Sequence, residues 1–372
     1  MKRLFVWMLV VCLMLTACGS GTEETTEAAQ TEAAAEETAQ VTEEVPETTE
    51  FPTEVATEPT EPPVEEIPGT VNPLTGETLA EPSNARPFAI MLNNHKAALP
   101  HHGVSQADIV YETLVEGGMT RYMALFTDPA NAGPIGSVRS ARPPYVGFCQ
   151  AYDALYSSAS GMDNVLGMVT GGGVDYLNAL VYEGSYFYRN QSRLNQGIAW
   201  EHTLFIDGED FYQLAVDKGM RTTRKEGQTY GFTFDDAVAY EGAAANTAKI
   251  YFQKNGKTTT CTYDAEKGGY TLYQNGLDYV DGNTGEKVVF RNVLVLEAES
   301  YVMSNGIHVY METVGEGPGY YLRDGVMVPI TWSRATEADP YAYKTADGQE
   351  LVMGVGTSYI AVISDGSPVE FE

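Results

Sequence analysis

Ionisable side chains crowd one stretch of this chain. Glu112 and Glu116 precede the pair Gly117-Gly118, Arg121 follows it, and Arg139 and Arg142 end a Gly/Ser-rich loop that begins at Gly133. A guanidinium offers paired N–H donors that match a carboxylate or a phosphate. A loop that opens into a helix adds free backbone N–H groups at the helix's positive end. These five residues therefore have the makings of an anion site. The same residue types also build structural ion-pair networks, in which buried Arg and Glu hold a loop in place. Small residues that leave the backbone open, and arginines gathered in an acidic chain, speak for a ligand. Glu201-His202 adds a second group. A His beside a carboxylate serves as acid, base or ligand, or simply satisfies nearby backbone groups.

Two functions follow from these residues. One is binding of an anionic cell-envelope component or a protein partner, without catalysis. The other is a hydrolase or transferase that uses Glu112, Glu116 or His202, with the arginines stabilising a developing anion. The second requires the carboxylates and His202 to converge within a few Å in an open cleft. No Ser or Cys nucleophile stands out, though Ser137 and Ser140 could be invoked. The motifs CxxC, HExxH, GxSxG and GxxxxGK[ST] are absent from the sequence.

Other clusters read as structure. His95, His101 and His102 with Asp108 fit no standard zinc spacing and read as solvent-facing loop histidines. The run Asp278-Tyr279-Val280-Asp281-Gly282-Asn283 is rich in oxygen ligands but lacks the EF-hand pattern, and reads as a hairpin turn. No metal or cofactor is expected. Tyrosine is abundant at 24 residues, and Tyr186-Phe187-Tyr188 either lines a sugar- or peptide-binding groove or belongs to a β core.

The elements that must position these groups are mostly strands. Phe88 to Leu92 reads as a buried strand, and Ser105 to Asp108 as a short capped turn. Ile109 to Glu116 and Met119 to Thr127 read as the arms of a hairpin around Gly117-Gly118. Glu112 and Glu116 then share strand parity and face one side. Pro143 to Tyr152 has helical spacing, with proline at the start where a missing N–H is harmless. Ala154 to Ser160 reads as a strand, and Asp163 to Met168 and Val174 to Leu180 as short helices. Asp207 is placed to cap a helix from Gly208 to Lys218, which Gly219 stops. From about residue 245 nearly everything reads as β, with Asn255-Gly256, Asp324-Gly325 and Asp347-Gly348 where hairpins need a positive φ.

The N-terminus sets the compartment. Lys2 and Arg3 precede an apolar run from Leu4 to Leu15, which is too short to span a bilayer as a mature helix. It ends on Leu15-Thr16-Ala17-Cys18, a bacterial lipobox in which the Cys18 sulfur takes the lipid. The mature chain is expected to sit on the extracytoplasmic face of the membrane, tethered at Cys18. Residues 19–70 hold fifteen Glu and no Asp, Lys or Arg, mixed with Thr, Ala and Pro. Such a segment cannot bury enough apolar surface to offset its entropy, and it reads as a disordered stalk. The whole chain carries −29; beyond the stalk, 36 acidic and 20 basic residues leave −16. That balance argues against nucleic-acid binding, which needs clustered Lys and Arg on phosphates. Cys12 leaves with the signal peptide, so Cys149 and Cys261 remain, either paired or as two buried thiols.

Several stretches together resemble the YerB-like bacterial lipoproteins. They are Asn72-Pro73-Leu74-Thr75-Gly76, Arg86-Pro87, Gln106 to Glu112, Glu116 to Arg121, Gly136 to Arg142 and Glu201-His202, then Gly315 to Gly319, Arg323-Asp324-Gly325 and Trp332. His101-His102 departs from the Pro-Gln pair expected there. The resemblance implies an α+β fold, a layered β-sheet/helix sandwich with a mostly antiparallel C-terminal half. It implies no activity. The expected organisation is a signal peptide and lipobox over 1–18, a stalk over 19–70, an α+β domain over 71–235 and a β-rich domain over 245–372.

Overall fold

The most apolar runs of the sequence become the middle of one large mixed sheet. The computed structural model describes residues 69–372, so the signal peptide, Cys18 and all but the end of the stalk lie outside the described residues. In chain order the elements used below are β1 (Phe88–Asn93), β2 (Ile109–Leu114), β3 (Thr120–Phe126), α1 (Pro143–Ala151), β4 (Leu155–Ser158), α2 (Asp163–Gly171), β5 (Tyr176–Asn178), α3 (Gln191–Asn195) and α4 (Gly208–Asp217). Then come β6 (Thr247–Tyr251), β7 (Thr258–Asp264), β8 (Gly269–Gln274), β9 (Asn292–Ala298), β10 (Gly315–Arg323), β11 (Val326–Arg334) and β12 (Ser358–Ser364).

The central sheet has eleven strands and runs β11-β10-β9-β12-β2-β3-β1-β4-β5 through its middle. Its pairings are antiparallel for β2–β3 and β3–β1, and parallel for β12–β2 and β1–β4. Strand β1 is buried at every position, as a strand covered on both faces must be. Its alternate residues serve two cores: Phe88, Ile90 and Leu92 join Val110 and Tyr122, while Ala89 and Met91 join Ile109, Tyr111 and Met123. Each large apolar side chain buried this way contributes roughly 1.5–3 kcal/mol. A second, antiparallel sheet contains β6, β7 and β8, in line with the antiparallel character expected for this half.

Strands from both sides of the expected 235–245 boundary lie in the central sheet, since β12 pairs with β2 over Ser358↔Ile109 to Val362↔Thr113. The two segments therefore share a sheet and a core. The Asn72-Pro73 entry is tied to the same place. Asn72 Nδ2 donates to Asp108 Oδ1 at 2.7 Å, while Asn72 Oδ1 accepts from the Leu74 N–H at 2.9 Å.

Three local expectations change. Val174 to Leu180 is not a helix: β5 pairs parallel with β4 there, and burial at Leu177 and Ala179 follows a period of two. Asn255-Gly256, between β6 and β7, is not a left-handed turn; positive φ occurs at Asn275 (53°) and Gly276 (79°) in the separate turn after β8, and at the expected Asp324 (54°) and Gly325 (76°) between β10 and β11. Asp207 takes the N-cap position of α4 without a side-chain capping bond. Cys149 in α1 and Cys261 in β7 are both free and fully buried.

Candidate functional site

Strand parity fails at Val115, and that separates the two glutamates. Strand β2 ends at Leu114, and Glu116 begins a tight turn in which Gly117 (φ 65°) and Gly118 (φ 71°) adopt the left-handed conformation that reverses the chain. Glu112 stays in the sheet and is fully buried; Glu116 swings out to the arginines. The expected single constellation is therefore two.

The first is the arginine cluster at the end of β1 and the start of β3. Arg142 occupies the N-cap of α1, ahead of Pro143 and Pro144. A cation there opposes the helix dipole unless an anion lies beside it. Glu116 supplies that anion. Its two oxygens accept from Arg142 Nε and Nη2, and Oε1 also accepts from Arg121 Nη2 at 3.1 Å. Arg121 further donates to the carbonyl of Ser140, which pins the Gly/Ser loop to β3. Arg121 and Arg142 are 5% and 9% exposed. Burial works to raise the Glu116 carboxyl, but the hydrogen bonds from Arg142 and the charges of Arg121 and Arg142 outweigh it and hold it at about 2. Burial pulls Arg121 down to about 9, helped by the Arg142 charge.

Arg139 differs from its neighbours. Its backbone is fixed, with the N–H donating to Met91 O at 2.9 Å and the carbonyl accepting from Ala159 N at 3.0 Å. Its half-buried guanidinium makes no hydrogen bond or ion pair among the described residues. Burial lowers its pKa; the charges around it are Glu201 and Glu116 on one side and Arg142 and Arg189 on the other. Three guanidiniums thus gather around one carboxylate that bonds two of them, within a part of the chain whose net charge is −16.

His202 belongs to the rim of this cluster. It is 7% exposed, its Nδ1 lies 2.6 Å from Asn93 Nδ2, and its ring stacks on that of His95 at 5.0 Å with a 2° interplanar angle. Burial lowers its pKa, so the ring is neutral near neutral pH. The adjacent Glu201 is exposed. Two neighbours carry no sequence signal, Asn93, which is placed opposite Arg121 in the β1–β3 register, and His308; His95 is the exposed loop histidine expected, and its ring lies against His202. His308 is buried after a hairpin turn, accepts from Asn305 Nδ2 at 3.2 Å, and has no protein partner for Nε2 among the described residues. Its charge neighbours are Arg142, Glu116 and Arg121. No sequence signal marks it, because it lies far along the chain.

The second constellation surrounds Glu112. Its oxygens accept from Lys257 Nζ at 2.7 Å, Asn94 Nδ2 and Thr259 Oγ1 at 3.0 Å, and the hydroxyls of Thr120 and Tyr359. Burial works to raise this carboxyl, but the Lys257 charge and these hydrogen bonds hold it below its usual range. The hydrolase or transferase arrangement needs Glu112, Glu116 and His202 to meet in an open cleft. Here Glu112 is sealed against Lys257, Glu116 is held by two arginines, and His202 by Asn93. Ser137 is fully buried. A cleft of about 240 Å³ lies beside α1 and α2, lined by Val146, Met168, Tyr310 and Glu337, and none of the expected site residues lines it.

The remaining histidines and acids are structural. His101 is not solvent-facing: it is 0% exposed, donates through Nε2 to Asn93 O at 2.8 Å, and receives the Tyr279 hydroxyl at Nδ1 at 2.9 Å. His102 is half-buried and bonded to Asn283. Asp281 spends its oxygens on Ser105 N, Ser105 Oγ, Gly103 N and Asn283 N. Among the described residues no group of His, Cys, Asp and Glu is arranged to hold a metal ion. Tyr186 and Tyr188 donate to Asp217 and Asp207.

Comparison with known proteins places these features in a family. Residues 74–221 match the model described as "Protein of unknown function (DUF3048) N-terminal domain", and residues 248–360 match its C-terminal companion. The Bacillus subtilis (strain 168) protein named "Putative lipoprotein YerB" is 26% identical over 298 residues, 79% of this chain and 86% of its own. The crystal structure of Bacillus subtilis YerB superposes with a TM-score of 0.70 at 24% identity, covering 81% of this chain and 99% of that one. At that identity it speaks for the fold.

Proposed function

We propose that this chain, which belongs to the YerB-like DUF3048 family, is an extracytoplasmic lipoprotein that binds an anionic cell-envelope component through its arginine cluster. Cys18 anchors it, and the Glu-rich segment over 19–70 holds the folded part away from the bilayer. Among the described residues no helix is long and apolar enough to cross a membrane. A lipid at Cys18 accounts for attachment without one.

The observation that carries the reading is the Arg139 guanidinium. It stands half-buried and unbonded beside Arg121 and Arg142, which share Glu116. A half-desolvated cation next to two others is unfavourable by itself and is relieved by an incoming carboxylate or phosphate. Arg121, Arg142 and Glu116 form the frame; Arg139, with His202 and His95 at the rim, meets the ligand. Titration of the purified protein with anionic muropeptides and with inorganic phosphate tests this. Wild type binds one of them, and Arg139→Ala weakens that binding roughly tenfold or more, the value of one charge-assisted pair. Equal binding by both proteins refutes the assignment.

A further inference from the structure

The Lys257 ammonium does not face Glu112 alone. Its Nζ lies 2.7 Å from Glu112 Oε1 and 2.6 Å from Gln274 Oε1. Asn94 Nδ2 donates to the same Gln274 oxygen at 2.9 Å and to Glu112 Oε1 at 3.0 Å. Glu112 is 0% exposed and Gln274 1% exposed. The Gln274 Nε2 group is buried and has no hydrogen-bond partner among the described residues. An ion pair explains why Lys257 meets Glu112. The Gln274 carbonyl takes a second of the three N–H donors of Nζ, while its own NH₂ goes unpaired at the cost of a buried polar group.

The three groups have the chemistry of amide exchange. An amine touches a carboxamide, whose carbonyl oxygen receives N–H bonds from Asn94 and Lys257, and a carboxylate touches the amine. Contact at this range replaces an encounter in solution, and burial keeps out the water that competes for the same carbonyl. Burial also weakens the hold of Lys257 on its proton, against the pull of Glu112.

We propose that Lys257 and Gln274 become joined by an intramolecular amide bond, with Glu112 as the proton carrier. Glu112 takes one proton from the Lys257 ammonium, and the freed Nζ lone pair attacks Cδ of Gln274. Asn94 Nδ2 donates to the negative charge that develops on Oε1. A second proton passes from Nζ to Nε2, the Cδ–Nε2 bond breaks, and ammonia leaves. One C–N bond forms and one breaks, nothing is oxidised, and Glu112 keeps the first proton. The buried ion pair becomes a neutral carboxyl beside an amide. The bond ties the residue preceding β7 to the last residue of β8, closing that hairpin covalently. It is independent of the anion site.

Peptide mapping by mass spectrometry of a tryptic digest of the purified full chain tests this. The expected result is one branched peptide joining the Lys257 and Gln274 segments, lighter by one ammonia than the two linear peptides together, with no cleavage after Lys257. Lys257→Arg abolishes it. Gln274→Glu restores the same product by losing water instead of ammonia. Glu112→Asp, which keeps the charge but withdraws it from Nζ, lowers the joined fraction in protein whose circular dichroism is unchanged. Recovery of wild-type Lys257 and Gln274 in separate linear peptides of encoded mass overturns the proposal. A joined peptide lighter by one water also overturns it, because the partner is then Glu112.

Discussion

Removing Glu116 tests how the arginine cluster is held. In Glu116→Ala, Arg121 and Arg142, 5% and 9% exposed, lose the one carboxylate that bonds them both. The Glu116 carboxyl sits at about 2 against an ordinary 4.5, and at about 1.4 kcal/mol per unit that gap corresponds to about 3 kcal/mol. The side chain is 20% exposed, so solvent screening trims the figure to about 2 kcal/mol. Breaking a fully buried pair costs about 3–5 kcal/mol; that figure counts the same interaction from the side of the stranded arginines and sets the upper end for a partly exposed carboxylate. A loss of about 2–4 kcal/mol results, which in a domain of this size lowers Tm by roughly 5–10 °C. The pH dependence has a definite sign. A depressed carboxyl contributes its full stability above 4.5 and loses it as pH falls toward 2. Thermal melts of wild type and Glu116→Ala should therefore differ most above pH 5 and draw together as pH drops. A variant that melts within about 1 °C of wild type at neutral pH refutes the frame role. So does a difference that does not shrink in acid.

Other outcomes follow from single groups. His101, held neutral by burial at about 4 against an ordinary 6.5, is fully favourable above 6.5, and as pH falls from 6.5 to 4 its stability, about 3 kcal/mol, is lost; denaturant melts of His101→Gln lack that part of the pH slope, and an unchanged slope contradicts it. Cys149 and Cys261 are free, fully buried and pushed up by burial, so neither reacts with a thiol reagent until the protein unfolds; rapid native labelling of either tells against the packing. Cys18→Ala leaves precursor or released protein in a cell fractionation, and mature protein retained in the membrane fraction refutes the lipobox. Limited proteolysis leaves a stable fragment starting near residue 70, whereas one starting near Cys18 contradicts the stalk.

What the sequence made legible was local. Gly117-Gly118 and Asp324-Gly325 announced their turns because only a few residues tolerate a positive φ. Pro143 announced the start of α1, and with it the place of Arg142 at the N-cap. Misreadings arose where tertiary contacts decide. The Val174 to Leu180 run suited a short helix until pairing with β4 fixed a period of two. Parity between Glu112 and Glu116 failed because β2 ends one residue before Val115. Lys257, the partner of Glu112, is 145 residues away, and no local pattern points across that distance. His101 read as a loop histidine and proved to be core, because Tyr279, 178 residues along the chain, and the Asn93 carbonyl, eight residues back, satisfy both ring nitrogens.

Arg139 is assigned to a ligand, and the other two arginines to the fold. The most direct measurement is the Tm of Arg139→Ala beside wild type, each alone and with saturating anionic muropeptide or phosphate. Without ligand, Arg139→Ala should melt with wild type, because a guanidinium with no bonded partner and like charges beside it contributes within about 0.5 kcal/mol. With ligand, only wild type should gain, by about 3 kcal/mol at a hundredfold excess over Kd. A large drop in Tm for the ligand-free variant, or an equal gain in both proteins, contradicts the assignment of Arg139 as the anion-binding residue.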